Sequence, residues 1–161
     1  MNGEPPASEP LVYLVHHAQA LGPKEDPQQP LSLLGRAAAD ELARAAAARG
    51  VRPQAIWHSG KLRSRQTAEA FWRTCNPLAT FTAVRNLQPA DPPEWMRDRL
   101  LAEDAPVLLV GHMPHLPRLL RLMGGGNSDS ATSEFPQHGM VCLARADSIW
   151  IERWRLSPGC I

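Results

Sequence analysis

No run of about 18 apolar residues occurs anywhere in the 161-residue sequence, so no membrane-spanning helix is expected. Charge of one sign is also missing. The 17 Lys and Arg against 16 Asp and Glu leave a formal net charge of +1, without the basic excess that nucleic acid or an anionic membrane would attract. A protein or small-molecule partner is expected instead. The three cysteines, Cys75, Cys142 and Cys160, lie far apart with no CxxC spacing. That spacing argues against a metal knuckle or a disulfide framework and fits a reducing compartment, with the cytoplasm as the expected location. The first ten residues are rich in Pro, Glu and Ser and lack the basic start and apolar core of an export signal. Residues 1–9 are expected to be flexible. The length suits one domain over 1–161, and no internal repeat is visible.

What the sequence does have is histidine in telling places. His16 and His17 end the apolar run Leu11-Val12-Tyr13-Leu14-Val15, and His112 follows a similar run, Val107-Leu108-Leu109-Val110-Gly111. Short apolar runs without alternation predict strands buried on both faces of a parallel sheet, and ligands of such sheets bind beyond the strands' carboxyl ends. Imidazoles from two distant segments are thereby expected at one site.

Between these segments the sequence punctuates itself. Ala20 to Pro30, with three prolines, predicts a loop beside the histidine pair. Ser32 before the Ala/Leu/Arg/Glu-rich stretch Leu33 to Arg49, closed by Gly50, predicts a capped helix. Ala55 to His58 predicts a short strand, and Lys61 to Thr74 a helix entered from the turn Ser59-Gly60. A third strand is predicted over Thr80 to Val84, then a rigid loop through Pro89-Ala90-Asp91-Pro92-Pro93 and a helix from Trp95 to Ala102. After the strand ending at His112 come a leucine-rich helix, Leu116 to Met123, and the glycine-rich run Gly124 to Ser130, which predicts a connector. A terminal hairpin pairs Met140 to Ala144 with Trp150 to Trp154 across Asp147-Ser148. The five tryptophans are read as core and hairpin packing.

A third chemical element stands beside the histidines. The segment Ser59-Gly60-Lys61-Leu62-Arg63-Ser64-Arg65-Gln66-Thr67 places Arg63 in the first turn of a helix that follows a strand. Its guanidinium offers a planar fork matched to phosphate oxygens, at a helix N-terminus that already favours anions. With these three elements in order, the chain resembles the histidine phosphatase superfamily, in particular its small SixA-like phosphohistidine phosphatase branch. Val15-His16-His17-Ala18 matches the strand followed by Arg-His-Gly/Ala. Ser59 through Thr67 matches Ser-x-x-x-Arg-x-x-Gln-Thr, and Gly111-His112 matches the second histidine. The resemblance implies a phosphoglycerate mutase-like three-layer α/β/α sandwich with a mostly parallel central sheet, consistent with the order of elements. It also implies a nucleophile at His17, phosphate binding by Arg63, His112 and the position of His16, and no metal or other cofactor.

Attack by a neutral imidazole nitrogen on phosphorus, followed by hydrolysis of the N–P bond, divides one difficult displacement into two easier ones. A backbone carbonyl near His17 is expected to fix its tautomer. Two departures bear on strength of binding: His16 stands where the pattern has arginine, and Gln29 where arginine often precedes Pro-Leu-Ser. Neutral His16 donates one N–H where arginine is charged and bidentate, and phosphate binding is expected to charge it. Asp91 is the candidate general acid for the leaving group, with a turn-forming aspartate as its ordinary alternative. Lys61 and Arg65 read as surface residues, Lys61 within reach of substrate. His115 reads as a capping or surface residue, and His58 and His138 stay unassigned.

The expected function is hydrolysis of phosphohistidine or a small phosphoester through phospho-His17, on a phosphorylated protein or small metabolite. The alternative is a catalytically weak phosphate-binding member of the same fold. A zinc hydrolase is disfavoured, because adjacent strand residues point to opposite faces and no carboxylate sits at HxxE or HExxH spacing. A phosphoglycerate mutase is disfavoured by the short chain, on resemblance alone.

Overall fold

The computed structural model describes residues 10–124, 135–159 and 161. Six strands form one sheet: β1 (Leu11–His16), β2 (Ala55–His58), β3 (Thr80–Ala83), β4 (Val107–Gly111), β5 (Met140–Ala146) and β6 (Ile149–Leu156). Their order is β3-β2-β4-β1-β5-β6. The first four run parallel, while β5 pairs antiparallel with β1 and β6 antiparallel with β5. The predicted terminal hairpin is therefore present and is longer at both strands than the apolar pattern alone suggests. Four helices, α1 (Leu33–Ala48), α2 (Leu62–Cys75), α3 (Pro93–Leu101) and α4 (His115–Met123), connect the strands.

Alternation along the buried strands sorts the helices into two layers. Tyr13, Val15, Leu108, Val110 and Cys142 pack with Leu42, Ala46, Ala68 and Phe71 of α1 and α2. Val12, Leu14, Leu109 and Val141 pack on the other face with Met96, Leu100, Leu119 and Met123 of α3 and α4. The result is the expected three-layer α/β/α sandwich. Both faces are covered, which is why the central strands lack polar alternation. The two edge strands, β3 and β6, are the more exposed ones.

Local chemistry sets the element ends as the sequence predicts. Ser32 Oγ accepts from Gly35 N at 3.0 Å at the start of α1, and Gly50 adopts a φ of 85° just past its end. The glycine-rich run, beyond Gly124, lies outside the described residues, as do residues 1–9. Among the described residues no helix is long and apolar enough to cross a membrane.

The topology decides where a site forms. The chain leaves β1 toward α1 on one face and leaves the adjacent β4 toward α4 on the other. Such a divergence opens a crevice beyond the carboxyl ends of the two strands. His16 pairs with Gly111 at those ends, so His17 and His112 emerge side by side.

Candidate active site

His17 lies one residue past β1, held by its backbone N–H to Gly111 O at 3.2 Å. Its Nδ1 is 2.7 Å from Ala18 O. A carbonyl only accepts, so Nδ1 carries the hydrogen and the lone pair is on Nε2. The expected tautomer-fixing carbonyl is thus the next residue's own. Ala18 is fixed in turn, because its N–H donates to Thr67 Oγ1 at 3.0 Å and that hydroxyl donates to Arg63 O at 2.8 Å. Thr67, the last residue of the Ser59-to-Thr67 segment, therefore ties the loop after the histidine pair to the first turn of α2.

The His17 and His112 rings lie 5.2 Å apart, centroid to centroid. His112 is buried, and its Nε2 is 2.6 Å from Ser59 Oγ, while its Nδ1 has no partner among the described residues. Ser59 belongs to a turn built by its neighbours: its N–H donates to Ser64 Oγ, Ser64 Oγ donates to Val110 O, and Lys61 N donates to Ser59 Oγ. His58 Nδ1 accepts from Gly60 N at 3.1 Å in the same turn, so His58 organises this segment and packs on Phe81, away from the other imidazoles.

Electrostatics around these rings are one-sided. Burial, with the neighbouring imidazoles and Arg63 adding to it, pushes His16 and His112 down to about 3, and Lys61 adds to the effect at His112. His17 is pushed down to about 4, chiefly by burial and also by Arg63 and His138, with the bond to Ala18 opposing. Burial lowers Arg63 as well. Among the described residues, every charged residue that bears on His16, His17 and His112 is basic. A desolvated pocket of neutral imidazoles with a guanidinium beside them suits an anion and presents an unprotonated ring nitrogen.

A model of the histidine phosphatase superfamily, branch 1, matches residues 12–98. The chain belongs to that superfamily. It is a phosphatase by that membership, and its solved neighbours share the sandwich nearly end to end. A protein assigned as the phosphohistidine phosphatase SixA of Agrobacterium tumefaciens is 28% identical, with a TM-score of 0.78 over 93% of this chain and 99% of that one. The protein histidine phosphatase SixA solved with tungstate is 21% identical, with a TM-score of 0.81 over 92% and 97%. An α-ribazole phosphatase from Shigella flexneri is 14% identical, with a TM-score of 0.70 over 89% and 94%, a likeness of fold. No curated protein matches the chain.

Within this phosphatase, His16 and His138 hold an arrangement that strand periodicity does not foretell. His16 and His17 do not diverge to opposite faces, because the chain has already left the strand at His17, and their rings lie 4.5 Å apart. His138 stands just before β5, whose antiparallel start lies beside the carboxyl end of β1, with Val15 paired to Met140. Its ring stacks on His16 at 4.8 Å and 7°. His138 N donates to His16 Nδ1 at 2.8 Å, and His138 Nδ1 donates to His17 O at 2.7 Å. The bond to Nδ1 changes the expectation that His16 charges when phosphate binds. A second proton there would displace the bond from His138 N, which favours a neutral His16 ring with its hydrogen on Nε2.

Asp91 Oδ2 accepts from Gln88 N at 2.9 Å, the turn-forming role, and its charge bears on His115. Gln88 Nε2 donates to Ser59 O at 2.8 Å, which ties the Asp91 turn to the His112 partner. His115 is not a surface residue. It opens α4 four residues before Leu119, on the helix's apolar face, and is 0% exposed, with neither ring nitrogen partnered among the described residues. Lys61 bears on His112 and so belongs to the site's surroundings, while Arg65 pairs with Glu69 at the surface, as expected.

Proposed function

We propose that this phosphatase hydrolyses phosphohistidine or a small phosphoester, with His17 as nucleophile. The observation that carries the reading is His17 itself, its Nδ1–H committed to Ala18 O and its Nε2 lone pair unprotonated in a pocket whose charged neighbours among the described residues are all basic. In the first step Nε2 attacks phosphorus, an N–P bond forms, and the bond to the leaving group breaks as that group takes a proton. In the second, water attacks phosphorus, the N–P bond breaks, and phosphate leaves with His17 restored. Arg63, His16 and His112 hold the equatorial oxygens, each charge-assisted bond contributing roughly 1.5–3 kcal/mol. Asp91 supplies the leaving-group proton where an alcohol departs. A phosphohistidine substrate needs it less, because its imidazole leaves readily once protonated.

The choice of substrate class is supported by the 28% identical SixA neighbour, described as a phosphohistidine phosphatase. A phosphorylated protein or a small phosphorylated metabolite is the partner, with no nucleic acid or membrane involved. The whole chain works as one domain in the cytoplasm, a setting that suits the buried thiols of Cys75 and Cys142.

A second reading, a catalytically weak phosphate binder, is favoured by the neutral, buried His16 in place of a charged arginine. Turnover of a phosphomonoester and of a phosphohistidine peptide separates the two. The first reading predicts multiple turnovers with both and none in His17→Ala. Stoichiometric phosphate capture without turnover would replace it by the second.

A further inference from the structure

Two imidazoles at this site are arranged as ligands. His17 Nδ1 donates to Ala18 O and His138 Nδ1 donates to His17 O, each at 2.7 Å. A carbonyl on one ring nitrogen fixes the tautomer, orients the ring and leaves the lone pair on the other, which is the outer shell that metal-bound histidines ordinarily have. Ligand atoms from His16, His17 and His138 lie within 4.8 Å of one another, and among the described residues this is the one cluster of its kind. Its donors are all imidazole. Imidazole suits zinc, copper and nickel, whereas magnesium and calcium require oxygen ligands.

We propose that His17 and His138 bind a single transition-metal ion of the zinc class, and that the bound ion occupies the His17 lone pair and blocks phosphoryl transfer. The inhibitory half rests on the proposed role of His17, and the binding half does not. The His17 and His138 ring centroids lie 6.1 Å apart, and two nitrogens each about 2.0–2.1 Å from one zinc lie at most about 4.2 Å apart, so the two rings turn toward one another to close the site. His16 is not a third ligand. Its Nδ1 already accepts the His138 N–H, so its other nitrogen carries hydrogen and serves as a donor to water or anion on the metal. The guanidinium of Arg63 opposes a second cation, so the ion is held weakly enough for chelators to remove it.

The test is calorimetric titration of the untagged full chain with zinc chloride and with magnesium chloride, without substrate. All proteins carry Cys160→Ser, which removes the terminal thiol as a competing ligand. One zinc per chain and no response to magnesium are expected. His138→Gly suits the φ of 56° at that position and keeps the backbone N–H that holds His16. It is expected to weaken zinc binding at least about tenfold. Half-inhibition by zinc, normalised to each protein's own metal-free rate, should rise by a similar factor. Absence of zinc binding, or the same affinity in His138→Gly, overturns the proposal. Loss of all phosphatase activity in metal-free wild-type protein would overturn the function assigned to His17, while calorimetry still decides the metal site.

Discussion

Lowering the pH from 7.5 to 5.5 should destabilise this protein well before its carboxylates protonate. His16 and His112 titrate at about 3 and His17 at about 4 in the folded protein, whereas in the unfolded chain each takes a proton near 6.5. A lowered histidine leaves the unfolded state binding more protons between the two values. Stability is therefore full above about pH 7.5 and falls as pH drops through 6.5, until the folded rings themselves protonate near 4 and 3. At pH 5.5 each unfolded imidazole gains about 1.4 kcal/mol relative to pH 7.5, so the three together remove about 4 kcal/mol. His58 and His115, also lowered by burial, act in the same direction. For a chain of this size, about 4 kcal/mol corresponds to a fall in Tm of roughly 8–16 °C. Urea unfolding at the two pH values and constant ionic strength measures it. A stability that is flat or rises between pH 7.5 and 5.5 would refute the claim that these rings are buried and neutral.

Three substitutions probe the parts that hold the site. Thr67→Val keeps the side chain's shape but strands the Ala18 N–H, and it should cost about 1–3 kcal/mol in urea unfolding and lower kcat more than it raises KM; an unchanged kcat would mean that the Ala18 carbonyl does not orient His17. Asp91→Asn should slow hydrolysis of an alkyl phosphomonoester by about 10²–10⁴-fold and slow phosphohistidine hydrolysis much less. Equal slowing of both would show that Asp91 acts only through its turn. Gly35→Ala would drive a Cβ into the backbone oxygen of Gln19, two residues beyond His17, and overpacking of this kind should cost about 1–3 kcal/mol, read as a lower Tm.

Much of this arrangement was legible in the sequence because the central strands are written in the simplest code. Runs buried on both faces announce β1 and β4, and the rule that ligands gather beyond such strands brings His17 and His112 together without any knowledge of side-chain contacts. Ser32 and Gly50 bound α1 for equally local reasons. His138 was not legible. Its approach depends on β5 pairing antiparallel to β1 in one register, Val15 with Met140, a fact that no local pattern encodes. The convergence of His16 and His17 was hidden for a related reason, since two-residue alternation holds only within a strand and His17 lies past its end. The burial of His115 had an available signal, its i,i+4 spacing to Leu119 on the apolar face of α4. The Ser59–His112 bond had a weaker one, the strand end before each residue.

The central claim is that phosphate passes through His17. Rapid quenching under alkaline conditions during turnover of a phosphohistidine or phosphomonoester substrate, followed by peptide mapping, tests it most directly. The account predicts a phosphorylated peptide with the phosphate on His17, absent from His17→Ala. Phosphate on His16 alone, or turnover that persists in His17→Ala, would contradict it.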